Sequence, residues 1–409
     1  MLRRWEKPVW LRSGTTVAKV RGNQTRSPLE HLPMVEVVEI NDVEELSHYR
    51  LVWNSLFTAT PCASFFHTID WLETYWRHFG HDQKLRVLVV YGADEPLGIL
   101  PLCVRREKYR VSNVRVLTYP LDNWSTWYGP IGPNPAATMF AAMQHLRRTR
   151  RDWDMIELRW VPDEKTQGGK TARAMRVAGM FSEKQKYEST SLVDVPATVD
   201  EYVASKSPSI RRQIRNTISE SFLEGRHEYV RHRPLAAAEG DGDPQWDLYE
   251  MCEAVADASW QARVTDGNTL THSRVREFFR DSHEAASRVG MVDVNLLKVD
   301  GRPAAFLYGY HYDRNVVAVR TGFDAETGNG MGAAVMLKTI EDSCARGDRV
   351  IDFGAGAGEH KRRLRTRTES TYRLTYTPTI SWRSQAVRFS RWAKERISKR
   401  AGSAVVGAR

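Results

Sequence analysis

Cysteine is scarce in this chain, with four among 409 residues. Cys62, Cys103, Cys252 and Cys344 are scattered and lack the short spacings that bring metal ligands together. This pattern argues against a disulfide framework and against a cysteine-rich zinc site. Stability must therefore come from packed cores.

Long hydrophobic runs are also missing, since no apolar stretch approaches the roughly 20 residues that span a bilayer. Residues 1–20 are basic but lack the continuous apolar segment of a signal peptide. We therefore expect a cytoplasmic protein, with peripheral contact at the inner face of the membrane as an open alternative.

What the chain has in quantity is apolar, aromatic and basic residues. Hydrophobic residues make up 41% and aromatic residues 10%, enough for packed cores in the two or three domains that 409 residues imply. The net charge is +10, and residues 359–409 carry 14 Lys and Arg against three acidic residues. This basic end predicts an anionic neighbour, such as a phosphate-bearing ligand, a lipid surface or nucleic acid, unless it is an ordinary solvated face.

The most informative stretch lies between residues 315 and 361. An apolar run at residues 316–319 predicts a strand, and Gly328, Gly330 and Gly332 predict a turn after it. A helix follows, whose apolar residues recur at helical spacing: Ala333, Met336, Leu337, Ile340 and Cys344. Backbone N–H groups at such a glycine turn and helix N-terminus favour an anion, although an ordinary tight turn would look similar.

A second glycine run, at residues 354–358, follows Asp352. It resembles the turn of methyltransferases that bind S-adenosylmethionine. That fold needs several further strand–helix units. Only 51 residues remain after Gly358, and this segment has a strongly basic composition. We reject this interpretation and take the run as a flexible link between Asp352 and Lys361.

The polar residues around this link are candidates for chemistry. Asp352 is predicted at a strand end, and Glu359, His360 and Lys361 follow the glycines. A carboxylate or imidazole here could take a proton from a nucleophile, and the lysine could bind an anion. A surface loop with ordinary charges is the alternative.

The two halves of the chain are alike. A predicted hairpin with the segment EPLGILPL is matched by a later hairpin with RPAAFLYG, and DMIEL is matched by RVIDF after a helix in each half. We interpret this as a duplicated α+β unit in which only the second copy has the glycine turn. The predicted divisions are a basic leader at 1–33, a degenerate first domain at 34–195, an active second domain at 196–380, and a basic helix and tail at 381–409.

These residues carry a family resemblance. The segment RPAAFLYGYHYDRNVVAVRTGFD, the glycine turn and helix, and DFGAG followed by Lys361 and Arg363 resemble the GNAT-type acetyltransferases of the CelD-like kind, which are related to the FemABX aminoacyltransferases. His360 departs from the pattern, because an aromatic residue commonly precedes the lysine. The resemblance is weaker over residues 64–79 and 209–225, and it spans roughly residues 35–380.

The resemblance implies an α+β fold with tandem GNAT-like domains, each with a mixed sheet flanked by helices. It implies acetyl-CoA or another acyl-CoA as co-substrate and no metal. The residues it places at the donor are Val319, Arg320, Gly328, Asn329, Gly330, Met331 and Gly332, and those it places at the chemistry are Asp352, Lys361 and His360. A splayed strand at residues 316–320 would offer N–H groups to the thioester oxygen.

The implied activity is transfer of an acetyl or other acyl group to an amine or hydroxyl, with an amino sugar or polysaccharide precursor as the family-level acceptor. Two alternatives stay open: a FemABX-like enzyme that uses aminoacyl-tRNA, and a non-catalytic protein that binds an anionic surface. The second depends on a predicted amphipathic helix at residues 381–400. Its apolar side, with Trp382, Ala386, Phe389, Ala393 and Ile397, would pack on the last domain or contact a membrane.

Overall fold

The computed structural model describes residues 35–109, 112–121, 127–163, 170–222, 226–264, 269–328, 330–356 and 358–393. The leader predicted at residues 1–33 lies outside these ranges. The described residues group by their contacts into one compact unit.

Twelve strands of the described chain form one sheet. In chain order they are β1 Val35–Ile40, β2 Lys84–Gly92, β3 Glu95–Tyr109, β4 Ser112–Thr118, β5 Met155–Val161, β6 Glu183–Asp194, β7 His227–His232, β8 Val292–Val299, β9 Arg302–Tyr312, β10 Asn315–Phe323, β11 Val350–Ala355 and β12 Arg367–Tyr376.

Helices cover the faces of this sheet. They are α1 Arg50–Thr58, α2 Ile69–Phe79, α3 Pro135–Arg148, α4 Thr171–Val177, α5 Val199–Ala204, α6 Pro208–Phe222, α7 Trp246–Ala258, α8 Trp260–Val264, α9 Arg276–Arg288, α10 Met331–Arg346, α11 Glu359–Leu364 and α12 at residues 382–393. α5 and α6 are separate helices because the chain breaks before Pro208, a residue that cannot donate an internal helix hydrogen bond.

The order of the strands supports the predicted duplication. Across the sheet they run β1-β2-β3-β4-β5-β12-β6-β11-β10-β9-β8-β7. Counted inward from either edge, the first four strands are antiparallel to their neighbours, and the fourth strand pairs in parallel with the fifth. These parallel pairs are β4 with β5 and β10 with β11. The predicted α+β fold with a mixed sheet and flanking helices is confirmed.

The centre of the sheet contains a strand exchange. β6 follows the first set of strands in sequence but pairs with β11 of the second set, while β12 returns to pair with β5 of the first. β6 and β12 also pair with each other. The division proposed at residue 195 remains a prediction, and the exchange leaves neither half with a complete sheet of its own.

Alternation along β11 decides which way the site residues face. Ile351 and Phe353 belong to the core cluster that contains the buried side of α10, including Val335 and Leu337. Because successive strand residues point to opposite faces, Asp352 lies on the face away from α10.

A buried ion cluster fixes β7, a strand that the sequence analysis did not predict. Arg231 and Arg233 both donate to Asp293 of β8, at 2.7 and 2.8 Å, and Arg233 also donates to Asp348. Burial alone would raise the pKa of Asp293, but the two guanidinium groups hold it well below its usual range. The cluster ties β7 and β8 to the segment that follows α10.

Candidate active site

The predicted glycine turn forms the start of α10. Gly328 and Gly330 have φ of 131° and 86°, which non-glycine residues rarely adopt. The N-cap residue Gly330 has no side chain to cap the helix, and the N–H of Ala333 already donates to the carbonyl oxygen of Gly330. The N–H groups of Met331 and Gly332 are therefore the ones of the first turn that a ligand could bind. A Cβ added at Gly330 would meet nothing within 4 Å, so the turn faces open space. Asn329 lies outside the described residues.

β10 and β11 separate beside this turn. Their parallel pairing ends with Val317 and Asp352. Directly after it, the pairing of β10 with β9 shifts between Ala318 and Arg320, which leaves Val319 as the bulged residue. A bulge leaves one residue out of the ladder, so the backbone beside the opening is positioned to bind a ligand.

Gly309 of β9 permits this close approach of strands. A Cβ at that position would lie 2.0 Å from the carbonyl oxygen of Val317, which no side chain could tolerate. The same glycine ends the segment RPAAFLYG, so its sequence signal was visible although its role was not.

Asp352 and Lys361 come together at the end of the parallel pairing. The Oδ1 atom of Asp352 accepts a hydrogen bond of 2.7 Å from the N–H of Gly354. The Nζ atom of Lys361 donates to the carbonyl oxygen of Ala355 at 2.9 Å. Burial lowers the pKa of Lys361, the Asp352 carboxylate raises it, and the Arg320 guanidinium lowers it. The structure thus places two predicted residues in one electrostatically coupled pair.

Gly354 is required by the backbone beside the lysine. It has φ of 77°, and a Cβ there would be only 3.3 Å from the carbonyl oxygen of Ala318, while its 3.9 Å to Nζ of Lys361 would be an ordinary contact. The glycine run that looked like a cofactor loop instead ends β11 and leads into α11.

His360 faces another way. It is exposed on α11, and its ring lies where a side chain on Gly358 would be. Its pKa is lowered by partial burial and by the charge of Lys361. The structure therefore directs the lysine into the sheet and leaves the histidine on the outer side of the helix.

Arg320 is held along the opening. Its Nη1 atom donates to the carbonyl oxygen of Val319 at 2.9 Å, and its guanidinium lies 4.9 Å from the ring centroid of Phe279. These contacts place a fixed positive charge near Lys361, on the donor side that the resemblance assigned to residues 319 and 320.

A cavity of about 250 Å³ opens on the Asp352 face of the sheet. One wall comes from β6, β10, β11 and β12, and the other from residues 60–67 and 127–130 of the first half. The sequence analysis did not predict it. The residues that line it include Cys62, Ser64, His67, Tyr128, Leu192, Val317, Asp352 and Glu369.

His67 gives this cavity a neutral imidazole. Its ring stacks on Tyr128 with centroids 4.9 Å apart, and its Nδ1 atom lies 3.1 Å from the hydroxyl of Ser64. Burial lowers the pKa of His67 to about 4, so the ring is uncharged near neutral pH. In the part of the chain that the structure describes, no group of three or more His, Cys, Asp or Glu is arranged to hold a metal ion.

Comparison with known proteins identifies the second half. Residues 208–362 match the family described as the acetyltransferase (GNAT) domain. No protein with a curated description matches the sequence.

Two solved structures share the fold. FemX superposes with a TM-score of 0.55 at 10% identity, covering 84% of this chain and 97% of FemX. The C-terminal domain assigned to a lysylphosphatidylglycerol synthetase from Agrobacterium fabrum gives a TM-score of 0.51 at 10% identity, covering 85% of this chain and 95% of that domain. At such identities the likeness concerns the fold alone. The chain therefore has a GNAT-like fold, and its residues 208–362 are similar to the acetyltransferase (GNAT) domain, while the narrower CelD-like assignment stays a prediction.

Proposed function

We propose that this protein is an acyltransferase that moves an acetyl or other acyl group from acyl-CoA to an amine or hydroxyl. One observation carries the proposal: the bulge of β10 and the uncapped N-terminus of α10 lie on a single strand–turn–helix segment. The match of residues 208–362 to the acetyltransferase (GNAT) domain supports it.

The donor would occupy this segment from end to end. The CoA pyrophosphate would accept hydrogen bonds from N–H groups at residues 330–332, where the helix dipole also favours an anion. The thioester carbonyl would lie at the bulge beside Val319. A backbone N–H aimed at the oxyanion contributes about 3 kcal/mol of transition-state stabilisation in comparable sites.

The acceptor would approach from the Asp352 face. Its nitrogen or oxygen attacks the thioester carbon, a C–N or C–O bond forms, and the C–S bond breaks. The proton lost by the nucleophile leaves with CoA, which departs as the thiol. Asp352 would orient the nucleophile, and the Lys361 ammonium would offset the negative charge that develops on the oxygen.

The first half differs at the corresponding positions. Where α10 begins at Met331, α3 begins at Pro135, which has no N–H to offer. The match of DMIEL with RVIDF places Glu157 where the second half has Asp352, and the Glu157 carboxylate already accepts a hydrogen bond of 2.7 Å from Arg391 of α12. These differences support a single donor site, in the second half.

Replacing Gly330 with Asp tests the donor site. The carboxylate would oppose the pyrophosphate, so we expect acetyl-CoA binding to disappear in isothermal titration calorimetry. Gly301→Asp is a matched control, because Gly301 also has positive φ, of 75°, and open surroundings, but lies in the β8–β9 turn.

Unchanged acetyl-CoA affinity in Gly330→Asp, with both variants folded, would remove the donor site from this turn. Binding of aminoacyl-tRNA but not acetyl-CoA by the wild-type protein would favour the FemABX-like alternative.

We also propose a peripheral contact between α12 and an anionic membrane. Trp382 and Phe389 are 69% and 66% exposed, although the sequence pattern put them on the apolar side of the helix. The opposite side packs instead, with Val387 buried against β4 and β5. Arg383 and Arg388 flank the aromatic face and match an anionic lipid surface.

Ile397 and the rest of the tail lie outside the described residues. Among the helices that the structure describes, none is long and apolar enough to cross a bilayer.

A further inference from the structure

The cavity beside Asp352 begins where the proposed donor site ends. Its sheet wall includes Val317 and Asp352, the last paired residues of β10 and β11, and the two strands part immediately beyond them. A group in the cavity would therefore lie next to the acyl carbon of a donor held in the opening.

The walls of the cavity are mainly apolar. Pro61, Ala63, Tyr128, Leu192 and Val317 line it, and the neutral ring of His67 stacks on Tyr128 rather than projecting a charge. Its volume of about 250 Å³ is below the roughly 300 Å³ at which pockets for drug-sized ligands begin. The cavity is therefore suited to one aryl or branched alkyl group.

Charged groups lie on the two strands beside Leu192, Asp352 on β11 and Arg367 on β12. Arg367 lies between two carboxylates, Asp194 and Glu369, which gives that group a net negative charge. This charge favours the entry of a cation, such as a protonated primary amine.

Asp352 is buried, and the positive charges of Lys361 and Arg320 lie near it. These charges favour the neutral form of an amine at Asp352, which is the form that can attack a thioester.

A sugar ring fits these walls poorly. The lining also contains hydroxyl groups, but the Thr60 hydroxyl already donates to the carbonyl oxygen of Leu56, and the Ser64 hydroxyl lies 3.1 Å from Nδ1 of the cavity's histidine. Each hydroxyl of a sugar that is buried without a partner lowers affinity by roughly tenfold or more. The cavity thus differs in its chemistry from the amino sugar expected of the family.

We propose that the cavity binds the apolar body of the acceptor, an arylalkyl or branched alkyl primary amine whose nitrogen reaches Asp352. This inference rests on the proposed acyltransferase function. A protonated amine first releases one proton to the solvent. The neutral nitrogen then forms a C–N bond with the acyl carbon as the C–S bond of acyl-CoA breaks, and the second proton that the nitrogen loses leaves with the CoA thiol. The product is an N-acylated amine.

Cys62 provides a direct test, because it is the exposed one of the four cysteines and lines the cavity, while the other three are buried. N-ethylmaleimide would attach a bulky group there. We expect phenethylamine to bind the untreated full chain in calorimetry without any donor, and to bind at least about tenfold more weakly after treatment. In Cys62→Ser the same treatment should leave the affinity of that variant unchanged.

Transfer provides the second readout. Release of the CoA thiol from acetyl-CoA should show a KM for phenethylamine at least about tenfold below that for glucosamine. A lower KM for glucosamine, or phenethylamine binding that is absent or insensitive to the modification of Cys62, would overturn the assignment of the cavity.

The two proposals can be contradicted separately. If the wild-type protein does not bind acetyl-CoA, the donor site is contradicted. Calorimetry with phenethylamine alone would still test whether the cavity binds an amine.

Discussion

At the scale of single residues, the account depends on the pair formed by Asp352 and Lys361. Both side chains are largely removed from water, and the carboxylate favours the charged form of the lysine that burial opposes. Buried ionisable pairs of this kind are frequent at catalytic sites, although some are structural.

Turnover of Asp352→Asn and Lys361→Ala distinguishes these roles. Asparagine can still accept the N–H of Gly354, so folding should be little affected, while the charge that orients the nucleophile is lost. We expect the rate of acyl transfer to fall by roughly a hundredfold in each variant. Urea unfolding monitored in parallel gives the change in stability.

If both variants transfer the acyl group as fast as the wild type, Asp352 and Lys361 have only a structural role. A loss of rate explained entirely by unfolded protein would do the same.

These two residues could be found from sequence because they lie nine positions apart in one motif. The cavity could not, since its walls join residues 60–67 and 127–130 to strands at 315–317 and 350–352. Only the fold brings such distant segments together. The aromatic, turn-rich loop before Tyr128 was visible, but nothing in it indicated what it would face.

At the scale of elements, α12 shows that an amphipathic pattern does not decide which side packs. Val387 and Ser384 are buried, and Trp382 and Phe389 are exposed. The apolar stripe of the sequence is therefore available to a partner, and the arginines beside it determine the charge of that partner.

Vesicle binding tests this helix. Trp382→Ser and Phe389→Ser together should reduce co-sedimentation with vesicles that contain phosphatidylglycerol by at least about tenfold, because both aromatic anchors are lost. Truncation before Ser381 should have the same effect.

Phosphatidylcholine vesicles serve as the control and should bind the wild-type protein weakly. Equal sedimentation of wild type and double variant with the anionic vesicles would contradict a membrane role for α12.

The sequence analysis did not predict β6 and β7, and the reason is the same for both strands. β7 reads HEYVRH, polar in composition, and its Arg231 is buried only because Asp293 and Asp342 lie opposite. β6 is likewise rich in charged residues over its first half. Hydrophobic periodicity does not detect strands stabilised by ion pairs or by exchange between halves, whereas the hairpin at Asp300 and Gly301 was predicted correctly from its turn residues.

At the scale of the whole molecule, the exchange of β6 and β12 joins the two halves through backbone hydrogen bonds. Aromatic contacts add to this, as between Phe65 and Tyr310, whose centroids are 4.6 Å apart. We infer that the halves unfold together rather than in sequence.

Stability should fall in mild acid. Burial lowers the pKa values of His67, His283 and His311 to about 4, from the ordinary value of 6.5. Between these values the unfolded chain binds more protons than the folded one, so the free energy of unfolding decreases as pH falls from 6.5 towards 4. At about pH 5 the loss is roughly 2 kcal/mol per histidine.

Urea unfolding at about pH 7.5 and about pH 5 measures this loss, and paired carboxylates contribute little above about pH 4.5. His67→Asn, which keeps an acceptor for Ser64, should lose roughly two thirds as much stability between the two conditions, because two of the three buried histidines remain. Equal stability of the wild type at both pH values would contradict the buried neutral state of these three histidines.

The account as a whole depends on the acyl donor occupying the opening between β10 and β11. Hydrogen–deuterium exchange with and without acetyl-CoA tests this most directly. We predict slower exchange at residues 318–320 and 330–334 when acetyl-CoA is present, and no change in the β8–β9 turn at Gly301. Exchange that is unchanged at both donor segments, or slowed only elsewhere in the chain, would contradict the donor site.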